Sequence, residues 1–456
     1  MDKSIFYYST NFNTKSVTFQ EALLKGQAPD RGLYMPQAIP EVSSEELRGF
    51  SEQAYAEIAY IIGKKFLNQE ISDAELRVIV KDAYNFPAPL EHVYDRTYVL
   101  RLDQGPTASF KDFAARMMGR LMQHFLKKER RHLLILTATS GDTGSAIANA
   151  FYGLENINVV VLFPEKEVTS RQRKQMTTLD QNIRTIALDG KFDDCQALVK
   201  RAFADPELED LQLSSANSIN IGRLLPQIMY YFYAFAQVRN AKEDDTVIFS
   251  VPSGNFGDLM GGLLAKKMGL PVKKFVVATN ENDEFPTFVA SGRYEKIAPS
   301  RNCISSAMNV GHPSNVARLV ALYGGQMDEK GLMSKAPDLA RIRDDMYAVS
   351  IRDAETKATI KQAYQDYHLL LEPHGAVAWA GLRRYLAAHQ DDDTPDQLCI
   401  SFETAHPAKF PQEIQEILAI DPELPPSLEG LEEKDESFET MRNEYAEFTR
   451  YLKRNY

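Results

Sequence analysis

The feature that most constrains the fold is the regular alternation of short apolar strands and helix-like segments after residue 96. Most of the strand-like runs are apolar along their whole length, so both faces of the sheet are expected to be covered by helices. This is the pattern of parallel βαβ units, and the sequence therefore predicts an α/β fold. The predicted strands lie at 97–102, 132–140, 158–164, 183–190, 246–254, 272–280 and 397–405.

The two ends of the chain differ from this central part. The 456 residues are enough for two or three domains. A helical region at 44–84 ends at the proline-rich stretch 85–90, because each proline disfavours helical backbone in the residue before it. After residue 410 the chain becomes acidic and proline-spaced before a helix-like end. We expect an N-terminal cap at 1–85, an α/β body at 86–410 and a C-terminal helical tail at 411–456.

Composition excludes several classes of protein. The net charge of −11 without a basic run argues against a nucleic-acid surface. There is no run of 18 apolar residues, and the start of the chain lacks the apolar core of a signal peptide. Cys195, Cys303 and Cys399 are scattered, which indicates neither a disulfide framework nor a zinc site. We expect a cytoplasmic protein without membrane, nucleic-acid or metal partners.

One lysine is a candidate for covalent chemistry. The stretch LDQGPTASFKDFA at 102–114 puts Lys111 after a glycine-proline turn, at the start of a predicted helix. The amino-terminal end of a helix disfavours an ammonium group, and burial beside Phe110 lowers its pKa further. A lysine of lowered pKa can form a Schiff base with a carbonyl cofactor. This stretch alone is also compatible with an ordinary solvated lysine.

Two predicted strands end in glycine-rich turns. These are TSGDTG at 139–144 and SGNFGD at 253–258. In open α/β sheets, ligands bind at the carboxyl ends of the strands, where the amino termini of helices point. The glycines permit close approach, and the backbone amides and hydroxyls can bind an anion. Taken singly, either stretch could also be a tight strand-to-helix turn.

Two further stretches carry polar groups in similar positions. In SSANSINIGR at 214–223, Arg223 precedes an apolar helix-like segment and can bind a phosphate or carboxylate through two hydrogen bonds. A helix cap followed by a surface arginine is the alternative. In ETAHPAKF at 403–410, Thr404 offers a hydroxyl to a ring nitrogen and Lys409 offers a positive charge.

Together these stretches resemble the threonine synthase family, which are pyridoxal-phosphate enzymes of fold type II, the tryptophan synthase β-like fold. The similarity extends in order from about residue 5 to residue 410. It rests on RGLYMP (31–36), GPTASFKDFA (105–114), TSGDTGSA (139–146), SSANSINIGRLLP (214–226), VPSGNFGD (251–258), SAMNVGHPSN (306–315) and ETAHPAKF (403–410).

The resemblance implies two open α/β domains with mostly parallel sheets and the cofactor pyridoxal 5'-phosphate in the cleft between them. Lys111 would hold the cofactor as a Schiff base, and Thr404 would bind its pyridine nitrogen. The other cofactor-binding residues implied are Phe110, Gly254, Asn255, Phe256, Gly257 and Asp258. The implied substrate-binding residues are Ser140, Gly141, Asp142, Thr143, Asn217, Ser218, Arg223 and Lys409.

The implied reaction converts O-phospho-L-homoserine and water to L-threonine and phosphate, with the amine of Lys111 as the base. Phosphate leaves from the γ-carbon and water adds at the β-carbon. One rival interpretation is a phospho-lyase or a serine/threonine dehydratase of the same fold, which gives a 2-oxo acid. Another is a phosphate-metabolite binding protein without activity. The expected assembly is a monomer or a homodimer.

Two residues depart from the family's pattern. Gln104 stands where the family often has a histidine, and Asp142 where many relatives have an asparagine. A carboxylate close to the carboxylate of the substrate would repel it unless backbone amides cap it or it is protonated. The sequence therefore leaves the orientation of the substrate open.

Overall fold

The computed structural model describes residues 4–67, 69–139, 141–240 and 245–456. Ser140, one of the predicted substrate-binding residues, lies outside the described residues. The strands are β1 (Tyr7–Ser9), β2 (Tyr34–Pro36), β3 (Leu90–Tyr94), β4 (Thr97–Arg101), β5 (Leu133–Ala138), β6 (Ile157–Pro164), β7 (Ile183–Asp189), β8 (Leu213–Ser214), β9 (Val247–Pro252), β10 (Val272–Thr279), β11 (Gln326–Met327), β12 (Met333–Lys335), β13 (Met346–Ser350), β14 (Leu398–Glu403) and β15 (Glu439–Arg442).

The helices lie mostly between these strands. They are α1 (Phe19–Lys25), α2 (Ser44–Gly49), α3 (Tyr55–Leu67), α4 (Asp73–Ala83), α5 (Lys111–Glu129), α6 (Asp142–Phe151), α7 (Ser170–Thr177), α8 (Phe192–Phe203), α9 (Ile221–Leu224), α10 (Gln227–Val238), α11 (Gly257–Lys267), α12 (Glu284–Ser291), α13 (Val316–Leu322), α14 (Leu339–Asp345), α15 (Asp353–Tyr367), α16 (Pro373–Ala388), α17 (Pro411–Leu418) and α18 (Tyr445–Asn455). None of the helices in the described ranges is long and apolar enough to cross a membrane.

The larger sheet of the described residues has six strands in the order β13-β10-β9-β14-β4-β3. All neighbours are parallel except the β3–β4 pair. Its central strands, VIFSVP in β9 and LCISFE in β14, are buried along their whole length. This explains why their sequences are apolar without alternation, since helices cover both faces.

The smaller sheet of the described residues has five parallel strands in the order β15-β7-β6-β5-β8. Together the two sheets confirm the predicted α/β fold with mostly parallel sheets. Strand β15 was not expected within the predicted C-terminal helical tail, but residues 439–442 pair with β7 at the edge of this sheet. The terminal helix α18 then buries Phe448 and Leu452 in the core of the same sheet.

Helix starts in this fold are of two kinds. Helices α1, α2, α4 and α7 begin with capping boxes. In each, the side chain of a serine or threonine accepts a hydrogen bond from a backbone N–H of the first turn, and the side chain of a glutamate or glutamine accepts one from the backbone N–H of that serine or threonine. Helices α5, α6 and α11 begin without a described side-chain cap. They follow Phe110, Gly141 and Phe256, and the last two have φ of 139° and 62°. Uncapped amino termini keep N–H groups available to an anion.

The N-terminal helices pack directly behind the start of α5. Tyr55 on α3 contacts Phe113 on α5 with ring centroids 5.2 Å apart, and it also contacts Tyr84 and Tyr233. Phe113 is fully buried in a core that both regions share. The N-terminal region thus fixes the helix that carries Lys111.

Candidate active site

The predicted loops converge because of the strand order. Strands β4, β14 and β9 are parallel neighbours, so the loops after them, at 102–110, 404–410 and 253–256, lie at one edge of the larger sheet. Strands β5 and β8 are parallel neighbours in the smaller sheet, which brings Thr139 and Gly141 close to the loop at 215–220. Side chains from the two sets of loops meet directly, as the contacts of Asp142 show.

Lys111 is the first residue of α5, and its side chain is only 12% exposed. Its Nζ lies 4.7 Å from the centroid of the Phe110 ring. Burial lowers the pKa of Lys111, and the nearby charges of Lys409 and Arg223 lower it further, whereas Asp142 opposes them. The environment therefore favours the neutral amine that the sequence analysis expected at this position.

The turn before Lys111 is closed by its neighbour on the helix. Asp112 Oδ2 accepts the backbone N–H of Thr107 at 2.8 Å, and Oδ1 accepts the Thr107 hydroxyl at 2.7 Å. The backbone N–H of Phe110 donates to the carbonyl of Thr404 at 2.8 Å. These bonds fix the Lys111 backbone relative to the end of β14, where the Thr404 side chain is buried.

Asp142 pairs with two lysines. Its Oδ1 lies 2.7 Å from Lys409 Nζ, and its Oδ2 lies 3.7 Å from Lys111 Nζ. Gln172 Nε2 also donates to Oδ1 at 2.9 Å. Burial alone would raise the pKa of Asp142, but the two lysines and the amide hold it well below its usual range. The sequence analysis expected this carboxylate to repel the substrate unless it was capped by amides or protonated; the structure instead places two lysines beside it.

Lys409 differs from Lys111 in how firmly it is held. Its side chain is fully buried, and Nζ donates to the carbonyl of Thr107 at 2.9 Å in addition to its ion pair with Asp142. The two lysines therefore share one carboxylate, but the close contact belongs to Lys409. The amine of Lys111 has the longer contact with the carboxylate.

Arg223 is buried on the short helix α9. Nη1 donates to the carbonyl of Ala216 at 2.7 Å, whereas Nε has no hydrogen-bond partner among the described residues. Burial lowers the pKa of Arg223 to about 10. The sequence analysis expected one apolar helix after Arg223. The structure instead has the short helix α9, which includes Arg223, and a separate helix α10, which begins at Gln227 after Pro226.

Asn217 and Ser218 lie half-buried in the loop before α9. Asn217 Oδ1 accepts the hydroxyl of Thr137 at 2.5 Å, which ties the loop to β5. The carbonyl of Ser218 accepts two donors from the segment around α13, Asn315 Nδ2 at 3.3 Å and Arg318 Nη1 at 3.0 Å. On the adjoining loop, Gly141 is buried and Thr143 half-buried in the first turn of α6.

The loop at 253–257 approaches another backbone closely. A Cβ on Gly254 would lie 2.9 Å from the carbonyl oxygen of Ala307, so only glycine fits there without a shift. Phe256 adopts a left-handed conformation, and its ring packs on Phe285 with centroids 4.7 Å apart. Asn255 is exposed, and Gly257 is the first residue of α11.

Asp258 faces two tyrosines. Its Oδ1 accepts the hydroxyls of Tyr230 at 2.6 Å and Tyr231 at 2.9 Å, and Oδ2 has no partner in the described chain. Burial raises the pKa of Asp258 to about 6, although the tyrosine hydrogen bonds oppose the shift. Its carboxylate thus anchors the first turn of α11 to α10, next to the residues predicted to bind phosphate.

An acidic cluster lies at the end of β14 and was missed by the sequence analysis. Glu403 Oε1 accepts the backbone N–H of Glu372 at 2.8 Å, whereas Oε2 has no partner among the described groups. Burial and the charge of Glu372 raise the pKa of Glu403 far above its usual value. Glu372 accepts the N–H groups of His374 and Gly375 and the Nδ1–H of His374 at 2.5 Å.

His374 connects this cluster to the glycine-rich loop. With Nδ1 bound to Glu372, its Nε2 accepts the backbone N–H of Ala307 at 3.0 Å. Ala307 is the residue whose carbonyl approaches Gly254. Helix α16 begins at Pro373, a residue that favours the first turn of a helix, but the sequence analysis did not identify this helix as part of the site.

Comparison with known proteins identifies the family. The family profile described as pyridoxal-phosphate dependent enzyme matches residues 86–400. The profile for the threonine synthase N terminus matches residues 6–84, and that for the threonine synthase C-terminal region matches residues 375–452. The threonine synthase of Haemophilus influenzae is 41% identical over 446 residues, covering 98% of this chain and 99% of that protein.

Two solved structures show the same fold over nearly the whole chain. The pyridoxal-phosphate-bound threonine synthase of Brucella melitensis has a TM-score of 0.92 at 34% identity, covering 99% of each chain. The threonine synthase of Escherichia coli has a TM-score of 0.86 at 36% identity, covering 99% of this chain and 100% of that one. The chain belongs to the threonine synthase family of pyridoxal-phosphate-dependent enzymes.

Proposed function

We propose that this enzyme converts O-phospho-L-homoserine and water to L-threonine and phosphate. The observation that carries the proposal is a buried cationic cluster, defined as Lys111, Lys409 and Arg223 with the carboxylate of Asp142. Lys111 and Lys409 share the close carboxylate of Asp142, and the charge of Arg223 also acts on Lys111. A substrate with both a carboxylate and a phosphate provides the missing negative charge.

The residues present fit pyridoxal phosphate. Lys111 offers an amine of lowered pKa to the aldehyde of the cofactor, and Thr404 offers a hydroxyl to the pyridine nitrogen. The loop around Gly254, followed by the uncapped start of α11, suits the cofactor's phosphate. When bound, the cofactor supplies an electron sink for negative charge at the α-carbon, which no side chain offers.

Lys111 is the residue that we propose moves the proton at the α-carbon of the substrate. Burial and two neighbouring cations lower its pKa, so that a larger share of the amine is neutral and able to act as a base. Asp142, 3.7 Å away, stabilises the ammonium group once the proton has been taken up. A base and its counter-ion are thus held in one place.

The substrate's two anionic groups have separate places in this proposal. Gly141 and Thr143, at the start of α6, would line the α-carboxylate, with the backbone amide of Thr143 as the donor, because the N–H of Gly141 already donates to Thr139 Oγ1 at 2.9 Å. Arg223, Ser218 and Asn217 would bind the phosphate, since Nε of Arg223 is a buried donor still without a partner. Lys409 would add positive charge but little direct contact, because Asp142 and Thr107 already hold its ammonium group.

The organisation of the chain follows the same proposal. We assign residues 1–85 to an N-terminal cap, 86–410 to the catalytic body and 411–456 to a C-terminal extension. The three cysteines are free and buried, which is compatible with the cytoplasm as the compartment. The proposed assembly is a monomer or a homodimer.

The test is a product analysis with purified enzyme loaded with pyridoxal phosphate. Incubation with O-phospho-L-homoserine in ¹⁸O-labelled water should release phosphate and an equal amount of L-threonine that carries the label in its hydroxyl group. Equal amounts of phosphate and 2-oxobutyrate would instead assign the chain to the lyases. Binding of the substrate without any product would support the rival binding protein.

A further inference from the structure

We propose that Asn315 and Arg318, which lie outside both predicted phosphate loops, fix these loops relative to each other and so act as positioning residues for both phosphates. The cofactor loop is residues 253–257, and the substrate loop is residues 215–220. The inference rests on the proposed function, because it takes these loops as the binding sites for the two phosphate groups.

Asn315 contacts both loops with one amide. It is fully buried just before α13, and its Nδ2 donates to the carbonyl of Asn255 at 2.9 Å and to that of Ser218 at 3.3 Å. A side-chain amide nitrogen carries two hydrogens, so it can serve both acceptors at once. The cofactor loop follows the larger sheet and the substrate loop follows the smaller one. This single side chain therefore bridges the two sheets.

Arg318 lies one helical turn later and, of the two loops, contacts only the substrate loop. Nη1 donates to the carbonyl of Ser218 at 3.0 Å, and Nη2 donates to that of Ile219 at 2.6 Å. Nη1 also donates to Asn315 Oδ1 at 2.7 Å, which orients the amide, and Nε donates to the carbonyl of Tyr34 at 3.1 Å. The guanidinium thus joins the substrate loop to the N-terminal region and to Asn315.

The charge of Arg318 is buried and not neutralised by these partners, since all four acceptors are uncharged oxygens. Burial lowers the pKa of Arg318 to about 9, which still leaves it protonated at neutral pH. A positive charge in such surroundings acts over a longer distance than it does in water. Its field favours a phosphate bound to the adjacent loop.

The geometry of the peptide unit connects these contacts to phosphate binding. In a planar trans peptide, the C=O and the following N–H point in opposite directions. Donors that draw the carbonyls of Ser218 and Asn255 toward Asn315 therefore aim the N–H groups of Ile219 and Phe256 to the other side of each loop. Backbone N–H groups fixed in this way form a ready anion site.

The decisive variant is Asn315→Asp. Aspartate keeps the size of the side chain and an acceptor for Arg318, but it removes both N–H donors and adds a negative charge between the loops. We expect pyridoxal phosphate to bind the unloaded protein about 10-fold more weakly, and KM for O-phosphohomoserine to rise about 10-fold in the loaded enzyme. The ³¹P resonance of the bound cofactor should also shift. If the residue only packed against Arg318, neither affinity would change.

Arg318→Lys separates the two halves of the bridge. Lysine keeps the charge but cannot reproduce the fork that reaches Ser218 and Ile219. We expect inorganic phosphate to bind the loaded enzyme about 10-fold more weakly, with cofactor affinity changed by less than about 2-fold. The proposal would be overturned if Arg318→Lys lost as much cofactor affinity as N315D. It would also be overturned if N315D left both affinities unchanged.

One control variant and one replacement variant complete the test. Asn455→Asp, on the exposed end of α18, makes the same change in net charge and should alter neither affinity. Asn315→Ala removes the donors without adding charge and replaces N315D if that variant does not fold. Cofactor and phosphate affinities are measured without turnover, so a wild-type enzyme that makes no threonine would refute the proposed function while leaving this test intact.

Discussion

The cationic cluster and an acidic cluster at the end of β14 are both buried, but the pKa values of their carboxylates shift in opposite directions. In the cationic cluster, Asp142 stays ionised because two lysines face it, and the pKa of Lys111 is lowered. In the acidic cluster, defined as Glu372, Glu403 and His374, burial and a neighbouring carboxylate raise the pKa of Glu403 far above its usual value. Charge is retained where the proposed chemistry needs it and removed where the side chain serves packing.

The two glutamates differ in the number of hydrogen bonds that they accept. Glu372 accepts three hydrogen bonds, from His374 N, His374 Nδ1 and Gly375 N. Glu403 accepts one from the backbone of Glu372, and its Oε2 lies where a Cβ on Gly375 would come within 1.5 Å. Hydrogen bonds from N–H groups favour the ionised form, and Glu403 accepts only one of them, so this bond offsets little of the rise in its pKa.

Lys111→Ala tests the cationic cluster most severely. Loss of the amine removes both the attachment point of the cofactor and the proposed base, so we expect activity to fall by about 10³-fold or more. The measurement is the rate of phosphate release from O-phosphohomoserine. The control is Lys128→Ala, an exposed lysine near the end of the same helix, which should keep wild-type activity. A K111A enzyme with near-normal turnover would contradict the assignment.

Asp142→Asn should cost stability, because it leaves the buried ammonium of Lys409 without its counter-ion. We expect the free energy of unfolding at neutral pH to fall by about 3 kcal/mol. The folded pKa of Asp142 lies below the unfolded value of about 3.9, so its stabilisation is present above that pH and is lost as the pH falls through the folded pKa. Urea unfolding at a series of pH values should show the difference narrowing in acid.

The same variant should move the pH profile of the reaction. Asp142 raises the pKa of Lys111, so its removal lowers that pKa further, and the acidic limb of kcat, which reports the enzyme-substrate complex in which Lys111 is the base, should shift to lower pH. Asp193→Asn, at an exposed position of α8, is the matched control and should change neither stability nor profile. An acidic limb that moves upward would show that Asp142 does not act on Lys111.

Gly254→Ala tests the cofactor loop. A Cβ there would meet the carbonyl of Ala307 at 2.9 Å and the Cα of Met308 at 3.0 Å, and backbone atoms cannot move aside as a side chain can. We expect pyridoxal phosphate to bind about 10-fold more weakly in a titration of the unloaded protein. Gly49→Ala, where a Cβ meets nothing within 4 Å, should bind it normally. Equal affinities in the two variants would place the cofactor's phosphate elsewhere.

Glu403→Gln should have the smallest effect, because glutamine resembles the protonated acid already present. We expect activity within about 2-fold of wild type. The folded pKa of Glu403 lies above the unfolded value of about 4.3, so the wild type loses stability as the pH rises through the interval between them, and E403Q does not. Unfolding measurements should show that the free energy of unfolding of E403Q rises relative to that of the wild type as the pH increases.

Glu372→Gln is the counterpart in the same cluster. The side-chain NH₂ group of the glutamine would face N–H groups of His374 and Gly375, which are also donors. The substitution should therefore destabilise the protein far more than E403Q does. If E403Q were as destabilising as D142N, the two clusters would not differ in the way described. The comparison would then fail.

The fold was predictable where the sequence is uniform. Strands such as β6 and β9 are apolar throughout, and they lie where the pattern predicted them. Strands β13 and β15, at 346–350 and 439–442, were missed because their half-exposed sequences become strands only by pairing with the edges of β10 and β7. Pairing partners are not visible in a single short segment.

The candidate site was predictable residue by residue but not as a set of contacts. Lys111, Asp142 and Lys409 were each identified from a loop, yet their ion pairs depend on the approach of two sheets. Asp142 therefore looked repulsive until its lysines were placed. Arg318 and Glu403 gave no signal of their role, because a single arginine on a helix or glutamate at the end of a strand is usually at the surface.

The distinction between the two buried lysines can be tested directly by reductive labelling. The protein loaded with pyridoxal phosphate is treated with sodium borohydride, digested and mapped by mass spectrometry for the pyridoxyl group. Lys409 is held by Asp142 at 2.7 Å and by Thr107, whereas Lys111 has the lowered pKa and the longer contact. We predict the label on Lys111 alone. Label on Lys409, or spread over surface lysines, would contradict the assignment of Lys111 as the lysine that holds the cofactor.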